Sequence, residues 1–223
     1  MSYSFQQLRG RANQRWEELT RGDLPWIRIG TALCGKAAGA DRVADAFAEE
    51  LKRLGILAHV NKVGCLGLCF AEPLVDIAIP GNSRVVYGKV TPERVPEIID
   101  SHVTKGEPIT GLALGTLDGN EANDLPNLMD HSMMKRQLRI ALRNAGNVDP
   151  SDIDQYIAND GYAALDRALE DMSPNDVREE VSKSGLRGRG GAAFPTGTKW
   201  NFLAGSREPV KYILVNCEEG DPG

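Results

Sequence analysis

In the stretch PWIRIGTALCGKAAGADRVADAFAEELKRLGILAHVNKV, residues 25–63, three elements follow one another. Residues 25–31 form a short apolar run and read as a strand. Asp41 can cap a helix that buries Val43, Phe47, Leu51 and Leu54, and Gly55 closes it. Residues 56–63 (ILAHVNKV) read as a second strand. Beyond them LVDIAIP (74–80) and RVVYGKV (84–90) form a hairpin around Gly81-Asn82-Ser83. Thr91-Pro92 or Val95-Pro96 then opens a helix that runs through Val103. The order β-α-β-β-β-α is enough for one small α/β domain.

The flanks read differently. Residues 4–20 are helical, with Phe5, Leu8, Ala12, Trp16 and Leu19 on one stripe that Gly10 weakens. Residues 104–130 are punctuated by Gly, Pro, Asn and Asp and read as a linker. A second unit starts near Met133, with helices expected at 133–145, 150–158, 161–172 and 174–183. A short helix follows from about Thr198, then a buried strand, KYILVN, at 211–216.

The chain has 223 residues, 41% apolar and 26% charged, with a net charge of −5. That composition excludes a wholly disordered chain and a collagen-like one. The mild acidity argues against nucleic-acid binding through a general basic field. No apolar run approaches the ~18 residues of a membrane span. The first residues lack the apolar core of a signal peptide. A cytoplasmic protein is therefore expected, perched at most on the cytoplasmic side of a membrane complex. Four cysteines then suggest metal, redox or packing roles before structural disulfides. The chain stops inside a strand-to-loop passage, so a fragment, inactive on its own, is expected.

The densest chemical signal is GLRGRGGAAFPTGTKW, residues 185–200. Its glycines permit φ > 0 and close approach of backbone N–H groups to a ligand. Arg187, Arg189 and Lys199 supply cations, and such a loop can cradle a phosphate. The alternative is a surface loop with solvated arginines. Gly188, Gly190 and Ala193 match the spacing of a dinucleotide fingerprint, but the segment before them reads as a helix where that motif needs a strand. After the strand come Glu218, Glu219 and Asp221. Carboxylates at a strand's carboxyl end suit a ligand crevice and can accept from sugar hydroxyls; a solvated acidic turn is the other reading.

GLRGRGGAAFPTGTKW followed by NCEEGDPG (216–223) resembles the flavin-bearing, NADH-oxidising subunit of respiratory complex I. The same module occurs in NAD-linked hydrogenases and formate dehydrogenases. KRQLRIALRNAG (135–146) and the run from Gly161 to Gly188 resemble it too, so the likeness covers roughly 133–223. Ala193 stands where the family has Gly, and Glu218 where it has Asp. The resemblance implies FMN and NAD(H) as cofactors, and a [4Fe–4S] cluster whose cysteines lie beyond Gly223. It implies that Gly188, Gly190 and Gly191 pack against the flavin or nucleotide, and that Lys199, Asn216, Glu218 and Glu219 contact FMN. Phe194 and Phe202 would stack on the nicotinamide nucleotide, with Asp221 and Lys199 nearby. The implied activity is hydride transfer from NADH to FMN, then single electrons to iron–sulfur centres. The implied partners are other electron-transfer subunits of a multisubunit complex, with neither nucleic acid nor membrane insertion. A non-catalytic docking or electron-relay subunit is the alternative.

Cys65-Leu66-Gly67-Leu68-Cys69 offers two thiolates that can ligate one metal centre, and Cys34 sits where a helix N-terminus would favour its thiolate. Residues 25–110 resemble the thioredoxin-like ferredoxin that accompanies the flavin subunit, including VGCLGLC, AEPLVDI and YGKVTPERVPEII. That family has Cys-x4-Cys before the helix, whereas only Cys34 is present here. A [2Fe–2S] cluster normally takes four cysteines. A cluster completed by a non-cysteine ligand such as His59 or His102, a degenerate structural domain, and zinc held by three cysteines and a histidine all stay open. Cys217 reads as packing. His102 and His131 read as surface residues, and Lys135, Arg136, Arg139 and Arg143 as a basic helix face.

The expected fold class is α/β, a thioredoxin-like domain followed by the truncated start of an FMN-binding α/β domain. The segments are an N-terminal helix (1–24), the thioredoxin-like domain (25–105), a linker (106–132) and the start of the FMN/NADH domain (133–223).

Overall fold

The structure, a computed structural model, describes residues 4–118, 124–212 and 214. The chain divides into two compact units, one reaching to Asn159 and one starting at Asp160.

The first unit is a mixed α/β layer. Helix α1 (Phe5–Arg21) is opened by a capping box in which Ser4 and Gln7 satisfy each other's backbone N–H. Strand β1 (Trp26–Gly30) is buried throughout. Helices α2 (Leu33–Ala38) and α3 (Ala40–Leu54) follow. Gly39, at φ +100°, separates them and is the N-cap of α3, so Asp41 lies one position inside the helix and pairs with Lys62 instead of capping. Gly55 closes α3 at φ +68°, in the left-handed region that favours glycine.

Strands β2 (His59–Val63), β3 (Val75–Ala78), β4 (Val85–Tyr87) and β5 (Ala113–Thr116) complete a five-stranded sheet in the order β2-β1-β3-β4-β5. Strands β1 and β2 are parallel, and the other pairs are antiparallel. The β-α-β-β-β-α order thus closes into one mixed α/β sheet, as expected of a small α/β domain. The segment read as a linker contributes β5. There Gly115 is required, because a Cβ would lie 2.2 Å from the Pro126 carbonyl oxygen.

One face of the sheet buries Ile27, Ile29, Phe47, Ile77, Val85, Tyr87 and Ile98 in the main core. The helix expected after Thr91 forms in three pieces, a 3-10 turn (Pro92–Arg94), helix α4 (Val95–Ile98) and a π-helical stretch (Ile99–Thr104). On the other side Leu66, Leu68, Leu74, Val86, Leu128 and Met134 form a smaller cluster.

Residues 133–145 form turns, not the expected helix. Met134 finds the core, but Leu138 is 85% and Ile140 74% exposed. A helix there would have no apolar face to bury, and packing supplies most helical stability in proteins. Its C-terminal end is held from β4's side by Arg84. Arg84 donates to the Asn147 Oδ1 (2.6 Å) and to the Gly146 carbonyl (2.9 Å). Helix α5 (Ile153–Ala158) packs on α1, where the buried Asp154 accepts from Arg11 (2.7 Å) and Arg15.

The second unit contains α6 (Ala163–Glu170), α7 (Pro174–Lys183) and α8 (Thr196–Gly205). Helices α7 and α8 meet at Gly197, where a Cβ would lie 2.4 Å from the Ser182 Oγ. Of the expected strand 211–216, Lys211, Tyr212 and Leu214 carry no strand, and Leu214 is 92% exposed. A strand needs a partner ladder, and among the described residues this unit holds none. Asn216, Cys217, Glu218, Glu219 and Asp221 lie outside the described residues.

Candidate functional site

Two places carry chemistry, one in each unit. In the second unit the glycine-rich loop hangs between α7 and α8. Gly185, at φ +67°, turns the chain out of α7. The loop is then pinned at its neck. The Gly188 amide donates to the Phe194 carbonyl (2.8 Å) and the Thr196 amide to the Leu186 carbonyl (2.9 Å), around an isolated antiparallel bridge between Arg187 and Pro195. The Arg187 guanidinium donates to the Ala193 carbonyl (3.2 Å), so this cation braces the loop.

The tip, residues 189–193, is exposed. Among the described residues no backbone carbonyl accepts from its amides. Gly191 sits at φ +92°, and nothing approaches a Cβ built on Gly190 or Gly191 within 4 Å. A tip with unspent N–H groups and open space fits an anionic phosphate. Ala193 adopts φ +49°, the left-handed region.

Just beyond, Lys199 lies exposed in the first turn of α8. Phe194 and Phe202 are brought together, with ring centroids 6.3 Å apart, and both are exposed. Loop, lysine and aromatic pair are thus contiguous along α8 and its entry.

In the first unit the cysteines gather at one end of the sheet. Cys34 lies in α2, just past β1; Cys65 and Cys69 follow β2. Cys65 and Cys34 are partly buried and Cys69 is exposed. The hydrogen bond to Cys69, then its charge, pushes the Cys34 thiol up, opposite to the thiolate expected at a helix start. Burial pushes Cys65 up, against the pull of the Gly67 amide, which donates to its Sγ (3.1 Å).

Glu72 closes this end. It is buried, its Oε2 accepts from the Leu74 amide (2.9 Å), and its Oε1 is unpartnered. Burial raises its carboxyl pKa. The Arg139 guanidinium reaches the Cys65 carbonyl (3.4 Å).

The histidines do not complete this set. His59 opens β2 while Cys65 follows its far end, ~13 Å away at the usual rise per residue. His102, read as a surface residue, is fully buried, with Nδ1 2.9 Å from the Tyr87 hydroxyl. Its Nε2 has no partner, and burial lowers its pKa to about 4. His131 stacks on Phe70. Among the described residues no group of three or more His, Cys, Asp or Glu is arranged to hold a metal ion. Among the described residues three sulfurs gather here, one donor short of the four-cysteine set of a [2Fe–2S] cluster, so these residues do not fit that cluster by themselves.

Sequence reasoning missed Glu72 and a buried ionic ladder. Arg28 and Asp76 face each other in register on β1 and β3, and Arg84 holds the second Asp76 oxygen (2.6 Å). Burial lowers the Arg28 pKa to about 10, and its guanidinium lies 4.0 Å over the Trp26 ring. The signal was present, since opposite charges inside two apolar strands require a partner.

Comparison with known proteins agrees with the loop. Residues 181–223 match the Nuo51 FMN-binding domain. Over 88 residues, 40% of this chain, the NADP-reducing hydrogenase subunit HndC of Solidesulfovibrio fructosivorans is 53% identical. The F subunits of NADH-quinone oxidoreductase from Rhizobium meliloti and Aquifex aeolicus are each 44% identical, over 38% and 39% of the chain. The chain spans about a fifth of the length of these relatives, from 18% to 20%. A thioredoxin-like [2Fe–2S] ferredoxin from Aquifex aeolicus aligns with 44% of this chain and 94% of its own, at 24% identity and a TM-score of 0.38. No helix among the described residues is long and apolar enough to cross a membrane.

Proposed function

We propose that the chain is part of an NADH-oxidising flavoprotein subunit of a multisubunit oxidoreductase, with residues 133–223 opening its FMN/NADH domain. The observation that carries this reading is the pinned glycine-rich loop, with open amides at its tip, inside the segment that matches the FMN-binding domain. The amides of residues 189–193, with Gly188, Gly190 and Gly191 admitting close approach, would hold a phosphate. Lys199 would add the charge that an anion needs, and Asn216, Glu218 and Glu219 would hold the flavin's remaining polar groups. The exposed Phe194–Phe202 pair offers a stacking surface for the nicotinamide nucleotide, to which the family pattern would add Asp221. A bound FMN would supply hydride acceptance from NADH and one-electron release toward iron–sulfur centres, a [4Fe–4S] cluster among them, while the loop amides and Lys199 hold its phosphate. These side chains bind and orient, and hydride transfer requires no side-chain base. Expression of the full-length protein, with flavin quantified and NADH-driven dye reduction measured, tests this. Flavin-free protein without dye reduction would reject it.

The first unit serves, in this reading, as a docking module for partner electron-transfer subunits rather than as an electron relay. The missing fourth cluster donor favours docking. A reduced [2Fe–2S] EPR signal from iron- and sulfide-reconstituted protein would restore the relay.

A further inference from the structure

We propose that residues 133–145 are a docking surface for an acidic partner protein, whose own face carries an apolar centre ringed by Asp and Glu. The inference rests on the reading of the first unit as a docking module and assigns that module its face. The segment belongs to the first unit and is fastened to it. Met134 is buried in the smaller cluster. The Arg139 guanidinium donates to the Cys65 carbonyl (3.4 Å) and the Ala145 carbonyl (3.5 Å), and Arg84 holds Gly146 and Asn147. Just before the segment, His131 stacks on the exposed Phe70 with ring centroids 6.0 Å apart.

What this frame displays serves no contact among the described residues. In the run Leu138-Arg139-Ile140-Ala141-Leu142-Arg143 the three branched aliphatics are 85%, 74% and 57% exposed. Residues 131–148 hold four Lys or Arg and no Asp or Glu, in a chain whose net charge is −5. Among the described residues Lys135 and Arg136 form no ion pair. Arg139 and Arg143 donate only to backbone carbonyls. Clustered apolar side chains with a polar rim mark an interaction site, whereas scattered ones do not. A basic island on an acidic chain attracts and orients an acidic partner. Three of the four cations are Arg, the cation enriched in protein interfaces. A bilayer surface is the poorer match. It takes a helix with one apolar stripe, and these residues form turns. An anionic bilayer would also repel the chain's net negative charge.

The test uses the full-length protein, affinity-tagged in its source organism and purified at low ionic strength with its bound subunits. A photo-crosslinker, p-benzoylphenylalanine, is placed at Leu138, and its adduct is located by tandem mass spectrometry. The expected adduct lies on a partner subunit, within a stretch rich in Asp and Glu. Lys135→Glu with Arg136→Glu, and separately Leu138→Ser with Ile140→Ser, should each lower partner retention by roughly tenfold at an unchanged thermal midpoint. Raising the salt should weaken wild-type retention. Leu57→Ser, at a residue 74% exposed elsewhere on the first unit, should change nothing. An adduct on the protein's own chain, on a second copy or on lipid overturns the proposal. Partner retention that neither double variant lowers overturns the surface and leaves the docking reading standing. A wild-type protein that carries no partner subunit defeats the docking reading and this surface with it.

Discussion

A neutral imidazole sealed inside the first unit makes the core sensitive to acid. His102 titrates at about 4 in the fold and near ~6.5 when exposed. Between these values the unfolded chain binds the extra proton, so stability is complete above about pH 6.5 and is lost as pH falls toward 4. The loss is on the order of 3 kcal/mol. Urea midpoints measured from pH 7 to 4.5 should show that fall, and His102→Gln should flatten it. The burial was hidden in the sequence because His102 lies among polar neighbours, and its π-helical turn rotates it inward against Tyr87. A second test concerns Ala193, whose left-handed backbone costs about 1 kcal/mol that glycine would not incur. Ala193→Gly should therefore tighten flavin retention in the full-length protein, read by equilibrium dialysis; weaker retention would contradict the strain. Here the departure from the family pattern was visible in the sequence, and only its conformation was not.

Helix α1 is tethered to α5 by one buried carboxylate. The Arg11 hydrogen bond, then that of Arg15, holds Asp154 below the usual carboxylate range. Its stabilising share is present above the unfolded carboxylate pKa and is lost as pH falls through the lower folded value. Asp154→Asn should loosen α1 at neutral pH by about 1–3 kcal/mol, seen as faster amide exchange over residues 5–21. Unchanged exchange would show that apolar packing alone holds the helix. In the second unit Ser173→Ala removes a capping box and should cost α7 about 1 kcal/mol. Helices with a cap or an apolar stripe were legible, as α1, α3 and α7 show. Strand β5 was not, because its pairing depends on Gly115 fitting against Pro126, a contact made only in the folded chain. The turns at 133–145 were illegible for the opposite reason, since helical periodicity there meets no surface to cover.

The flavin reading makes separable demands on the two units. Gly191→Val forces a branched side chain to φ +92° and should abolish flavin retention in the full-length protein, while the far-UV spectrum and the thiol count of the first unit stay as in wild type. Lys199→Ala should weaken FMN retention by roughly tenfold, with the difference shrinking in salt. The loop's glycines, its lysine and its two phenylalanines stood out in the sequence, because glycine spacing and the family pattern point the same way, whereas the neck and the contact between the two rings are made only in the folded chain. The acidic end at 216–223 remains a proposal resting on that pattern. One packing detail reaches further. A Cβ on Gly146 would fall 2.3 Å from a Leu66 methyl, and Met134 and Leu128 cover Leu68 and Val86. A piece cut after residue 105 would strip that lid and an entire strand from the sheet, leaving a greasy, sticky stump. Anyone dissecting this polypeptide should place the scissors after Asn159.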